Sequence, residues 1–202
     1  LYHAAPGKYI KIMNTAGGSS STDIIKNMLC PDEPFDELFE KLESIPIGSN
    51  GVTFHPYLFG ERAPFKNPLA FASFFGMRSH NTKYDLMRAA YEGLAMSFVD
   101  CYQGKSGFDT MYLSGGASVS PFICQMFCDA IGMNVKRQTI DELGTLGIAK
   151  MLMVTLGYAK RLEDLEIDSY ISYTPNWDRH AQYQALYERF VSLRGSIETQ
   201  WK

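Results

Sequence analysis

The chain has 202 residues, 46% of them apolar and 20% charged, with 19 Lys and Arg against 22 Asp and Glu. That length suffices to bury a core, and a net charge of −3 gives no reason to expect nucleic acid or an anionic membrane as partner. No apolar run approaches the about 18 residues that cross a bilayer. The opening Leu-Tyr-His-Ala-Ala-Pro-Gly lacks the features of an export signal, so a cytoplasmic location is expected. The missing initial Met is what an excised fragment would show.

Residues 8–13 alternate enough for a short strand, and Thr15-Ala-Gly-Gly-Ser-Ser-Ser makes a small-residue turn before a helix near 22–28. Residues 34–43 predict an amphipathic helix with Phe35, Leu38, Phe39 and Leu42 on one face. Ile45-Pro-Ile-Gly-Ser-Asn-Gly reads as loop, and 52–58 as strand. A long helix is expected over 82–102, with Thr82 as N-cap and Asp85 three residues on. Its stripe of Ala89, Ala90, Gly93 and Ser97 lets the backbone come close to whatever it packs on. A strand at 110–113 leads into the tight loop Ser114-Gly-Gly-Ala-Ser-Val-Ser; Ser120 as N-cap and Pro121 as first helical residue then open a helix that Gly132 closes. A strand at 134–138 follows, then a helix opened by a Thr139–Glu142 capping box and running to Gly157. The tail from about 178 is a helix whose Tyr183, Leu186, Tyr187 and Phe190 form a core stripe. Strands alternating with helices predict an α/β sheet covered on both faces, in one domain.

Three segments can carry chemistry. In Leu113-Ser-Gly-Gly-Ala-Ser-Val-Ser-Pro, Gly115 and Gly116 lack the Cβ atoms that would hold a ligand off the backbone. The helix start at Ser120 and Pro121 offers unpaired N–H groups and a positive dipole end, suited to phosphate; the plain alternative is a tight connection. In Glu142-Leu-Gly-Thr-Leu-Gly-Ile-Ala-Lys, two glycines early in a helix each cost about 0.5–1 kcal/mol relative to Ala. They mark either tight packing inside the domain or a crossing contact at a hinge. In Pro56-Tyr-Leu-Phe-Gly-Glu-Arg-Ala-Pro, Glu61 and Arg62 either line a cleft or form a solvated pair that fixes the loop, and the solvated pair is the expectation. Gly104-Lys105-Ser106 imitates the end of a P-loop, but Val99 stands where that motif needs Gly. Cys124 and Cys128 share a helical face, yet His3, His55, His80 and His180 are scattered, so the thiols read as small apolar packing and no metal site is assigned.

The order of these pieces resembles the FGGY family of carbohydrate kinases. The resemblance runs through His3-Ala-Ala-Pro-Gly, Thr15-Ala-Gly-Gly-Ser, Ile45-Pro-Ile-Gly-Ser-Asn-Gly and Gly60-Glu-Arg-Ala-Pro. It continues with Gly76 and Met77, a seven-residue gap, then Asp85, Leu86, Ala89, Ala90, Tyr91 and Glu92, and ends with Leu113-Ser-Gly-Gly-Ala and Glu142-Leu-Gly-Thr-Leu-Gly-Ile-Ala. It implies an actin-like, ribonuclease-H-like ATPase domain with a mixed central sheet and helices on both faces. It further implies that residues 1–202 are the C-terminal, nucleotide-binding domain, with the sugar held by an N-terminal domain outside this sequence. By the same resemblance Gly115, Gly116 and Ser120 belong to a nucleotide loop, Gly17 and Gly18 to a second one, and Gly144 and Gly147 to an interdomain hinge.

The implied reaction is transfer of a phosphoryl group from ATP, with Mg²⁺, to a sugar hydroxyl, with a ketopentose such as xylulose suggested. No residue here matches the family's general base, so the chain by itself is expected to be inactive and, with its cut edge uncovered, to self-associate or to be less stable than the same domain in the intact enzyme. A frequent Ala-Arg-Gly triplet of the family is replaced by Ala70-Phe71-Ala72. The competing readings are another actin-like ATPase and a non-catalytic interaction module.

Overall fold

The structure, a computed structural model, describes residues 7, 9, 12–103, 107–140, 142–165 and 169–202. Residues 8, 10 and 11 of the expected strand at 8–13, the His3-Ala-Ala-Pro stretch and the Gly104-Lys105-Ser106 triplet lie outside these residues, and Ile12 and Met13 are not in a strand.

The centre of the fold is α3 (Lys83–Tyr102), which packs against α1 (Ser19–Leu29), α2 (Phe35–Glu43), α4 (Pro121–Ile131), α6 (Trp177–Ile197) and the strand β1 (Thr53–His55). Its start is the expected capping box: Thr82 Oγ1 accepts the Asp85 N–H at 3.4 Å and Asp85 Oδ2 accepts the Thr82 N–H at 2.6 Å. Fifteen of its residues are buried, so this helix needs apolar or small side chains nearly all round. The small stripe has the expected purpose, because a Cβ at Gly93 would collide with the Phe54 carbonyl oxygen of β1.

β1 pairs antiparallel with β2 (Ser73–Phe75), placing Phe54 opposite Phe74. The strand is shorter than the 52–58 expected, since Pro56 offers no N–H to a ladder. A three-stranded mixed sheet is ordered β3 (Thr110–Leu113), β4 (Asn134–Gln138), β5 (Tyr170–Tyr173), with β3–β4 parallel and β4–β5 antiparallel. Met111, Val135 and Tyr173 stand in one row, and α4, the crossover from β3 to β4, packs on β4 and β5. Gly132, at φ 72°, ends α4 as expected. Tyr183, Leu186 and Phe190 of α6 are buried. Phe190 stacks on His55, and Tyr57, Phe65 and Trp201 complete an aromatic cluster there.

The helix α5 (Leu143–Thr155) departs from expectation at its start. Thr139 forms no capping box; its N–H donates to Ser169 O at 3.0 Å, continuing the β4–β5 pairing, and Glu142 stands at the N-cap without a side-chain cap bond. No residue of α5 is buried.

Candidate functional site

Of the residues expected to meet a nucleotide, Gly116 and Ser120 line one cavity of about 580 Å³, within the range of small-molecule sites. Ser19, the first residue of α1, lies on one side; Gly116, Val119, Ser120, Pro121 and Phe122, the entry into α4, lie on another. The remaining wall is α2, through Phe35, Asp36, Phe39, Glu40 and Glu43, with Tyr91 of α3 beneath. Phe39 stacks with Phe35 at a centroid distance of 5.7 Å, meets Tyr91 edge-on at 5.4 Å and lies 6.2 Å from Phe122. The result is a continuous aromatic face, suited to a planar ring.

Two helix N-termini therefore open on the same space. The start of α4 is closed by its own cap, Ser120 Oγ accepting the Ile123 N–H at 3.4 Å. The start of α1 has no side-chain cap: Gly18, at φ 49°, is the N-cap residue, which leaves N–H groups and the positive dipole end available. A Cβ at Gly116 would meet no protein atom within 4 Å. Nothing in the packing demands glycine there, so the backbone is bare toward the cavity for another reason.

Gly115, at φ 100°, lines with Gly116 a second cavity of about 240 Å³ that also takes in Arg137 and Leu143. Gly17 and Gly18 line neither cavity; they shape the turn that delivers Ser19. A Cβ on Gly17 would collide with the Ser21 hydroxyl and come within 3.3 Å of Pro56 O. Gly144 and Gly147 belong to neither cavity. They meet no other atom within 4 Å at their Cβ positions, so the reading of tight packing inside this domain is set aside.

Glu61 is not a solvated partner of Arg62. It is 4% exposed, and its Oε1 accepts the backbone N–H groups of Ala16 and Arg62, each at 2.7 Å. Arg62 is exposed. Cys124 and Cys128 are buried, their thiols directed at Ser118 O and Met133 O, and burial pushes both thiols up.

Sequence reasoning missed the α2 wall. The stripe of Phe35, Leu38, Phe39 and Leu42 divides: Leu38 and Leu42 are in the core, while Phe35 and Phe39 face the cavity. The signal was present in Phe35, which an amphipathic helix of nine residues did not need for its core. Asp23, Asp36, Glu40 and Glu43 also line the cavity, and no Lys or Arg is among its described lining residues.

The architecture is that of the actin-like ATPases, shared with solved sugar kinases. The chain belongs to the FGGY family of carbohydrate kinases: the sequence model of the family's C-terminal domain matches residues 13–156. It is similar to a xylulose kinase of Staphylococcus epidermidis, 28% identical over 204 residues that cover 99% of this chain and 41% of the relative. A gluconokinase of Bacillus subtilis is 29% identical over 178 residues, covering 84% and 34%. Among solved structures, a ligand-bound xylulose kinase from Lactobacillus acidophilus superimposes with a TM-score of 0.84 at 24% identity, over 93% of this chain and 39% of that one. The chain thus spans about two fifths of the length of the relatives it matches.

Proposed function

We propose that residues 1–202 form the C-terminal, nucleotide-binding domain of an ATP-dependent sugar kinase. The reaction is transfer of the γ-phosphoryl group of Mg·ATP to a sugar hydroxyl, with a ketopentose such as xylulose as acceptor, in the cytoplasm. The observation that carries this reading is the single cavity joining the uncapped N-terminus of α1, the entry into α4 from Gly116 to Pro121 and the Phe35–Phe39–Phe122 face.

The charge of the wall orients the ligand. Four carboxylates repel a polyphosphate at close range, so the base lies among the aromatic rings and the phosphates run toward the glycine turns. There backbone N–H groups and helix dipoles receive anionic oxygens. Among the described residues no group of three or more His, Cys, Asp or Glu is placed to hold a metal. In this reading Mg²⁺ enters with the nucleotide, carried on its phosphates.

Phosphoryl transfer is chiefly positioning and charge neutralisation, and this chain supplies one side of it. The general base and the sugar contacts are assigned to the portion of the kinase outside this sequence. Helix α5, with Gly144 and Gly147, is assigned to the hinge contact with that portion, consistent with its lack of buried residues.

Calorimetric titration tests the assignment. The chain is expected to bind Mg·ATP and Mg·ADP, to show no binding of xylulose, and to transfer no phosphate. Absence of nucleotide binding, or phosphorylation of xylulose by the pure chain, would overturn it.

A further inference from the structure

The buried carboxylate of Glu61 has a consequence for the nucleotide site, resting on the reading just given. Its Oε1 reaches the Ala16 N–H across 45 residues of sequence, and also accepts from Arg62 N–H and, at 3.5 Å, Ala63 N–H. Five residues upstream, Pro56 O accepts the Ser21 hydroxyl at 3.0 Å in a buried bond. The segment from Ala16 to Ser21 is thus fastened at both ends to the segment from Pro56 to Glu61. Between the two fastenings lie Gly17, Gly18, Ser19 and Ser20, of which Ser19 lines the cavity.

The loop that carries Glu61 has closures besides its side chain. That loop is closed by backbone bonds, Glu61 N–H to Asn67 O at 2.9 Å and Asn67 N–H to Glu61 O at 3.0 Å. Besides the Arg62 and Ala63 N–H groups of its own loop, the carboxylate holds Ala16, and that bond is the one that crosses to the other segment. A carboxylate acceptor makes such a bond about twice as strong as a neutral one, and a buried carboxylate is stable only when satisfied in this way.

We propose that Glu61 is a positioning residue for nucleotide binding. It does not touch the ligand; through the Ala16 N–H it sets the Gly17–Gly18 turn and the uncapped start of α1 against the cavity. Two family motifs distant in sequence, the Thr15-Ala-Gly-Gly-Ser turn and the Gly60-Glu-Arg-Ala-Pro loop, are thereby one mechanical unit.

The test is titration of the chain with Mg·ATP in Glu61→Ala and Glu61→Gln variants, with amide hydrogen exchange read at Ala16. The Gln variant keeps an oxygen that accepts from Ala16; the Ala variant does not. Glu61→Ala is expected to weaken Mg·ATP at least tenfold and Glu61→Gln less than threefold. Nucleotide is expected to slow exchange at Ala16 in the unsubstituted and Gln chains but not in the Ala chain. Should Glu61→Ala fail to fold, Glu61→Asp, which withdraws the carboxylate by one methylene, carries the same expectation. A folded Ala or Asp variant that binds as tightly as the unsubstituted chain would overturn the proposal, as would a Gln variant as weak as the Ala variant. An unsubstituted chain that binds no nucleotide would remove the nucleotide reading itself, and this assignment with it.

Discussion

Residues 48–51 show what the family's motifs accomplish physically. Gly48, Ser49, Asn50 and Gly51 all have positive φ, at 85°, 49°, 50° and 92°, a run that non-glycine residues rarely enter. Two carboxylates of α3 hold it. Glu92 accepts the Gly48 N–H and the Ser49 hydroxyl, and Asp85 accepts from Asn50 Nδ2 at 2.8 Å. Glu92 is itself paired with Arg88 at 2.8 Å, and Arg88 donates onward to Leu42 O and Tyr183 Oη. Burial pushes the Glu92 carboxyl up and Arg88 opposes that rise. Removing one partner of such a pair leaves an uncompensated buried charge. Arg88→Met is therefore expected to destabilise the chain by about 3–5 kcal/mol, seen as a lower urea midpoint.

His55 gives a second prediction at this scale. Its Nε2 bonds Phe190 O at 2.8 Å and its ring stacks on Phe190, and burial pulls its pKa down from 6.5 to about 4. The folded state thus refuses a proton that the unfolded state accepts. Stability contributed by neutral His55 is complete above pH 6.5 and is lost as pH falls toward 4, by about 3 kcal/mol in all. Urea unfolding from pH 7 to pH 4 should show that decline, and His55→Phe should flatten it.

At the scale of elements, legibility followed locality. α3, β3, α4 and β4 stood in the sequence because their signals are short-range: a capping box at Thr82 and Asp85, Ser120 and Pro121 before α4, and Gly132 after it. β2 and β5 were not read. β2 is three residues long and β5 four, and each exists only through its partner: Phe74 against Phe54, and Tyr173 against Val135. The same non-local pairing took Thr139 away from the expected capping box and into a bond with Ser169. The cap that did form can be measured. Ser120→Ala is expected to cost about 1 kcal/mol, as a lower urea midpoint at unchanged slope.

Beside a well-buried body stands α5, a helix with no buried residue. Ile148 and Leu152 of α5 are 57% and 54% exposed, an apolar face that water leaves unstabilised. The chain by itself is expected to self-associate through this face. Ile148→Asp should lower the association seen by sedimentation across a wide concentration range. It should leave stability within about 0.5 kcal/mol, as surface changes do, because the side chain has little internal packing to lose. A concentration-independent monomer would count against this.

The candidate site was half legible in the sequence. Gly116 and Ser120, which line the cavity, stood in the sequence as a small residue before a helix start; Gly17 and Gly18 line neither cavity and only shape the turn before Ser19. The aromatic face was not legible, because Phe35 and Phe39 look like core until the helix is docked and its stripe divides. Glu61 was misread because its partner, Ala16, lies 45 residues away.

The central claim is that this cavity is the nucleotide site, and Gly116 tests it most directly. A Cβ at Gly116 would meet no protein atom within 4 Å, so a loss of binding in a variant that stays folded reports the ligand and not the packing. Calorimetric titration of Gly116→Val with Mg·ATP should show affinity weakened more than tenfold, about 1.4 kcal/mol or more, with an unchanged circular dichroism spectrum. An unchanged dissociation constant in the folded variant would contradict the account.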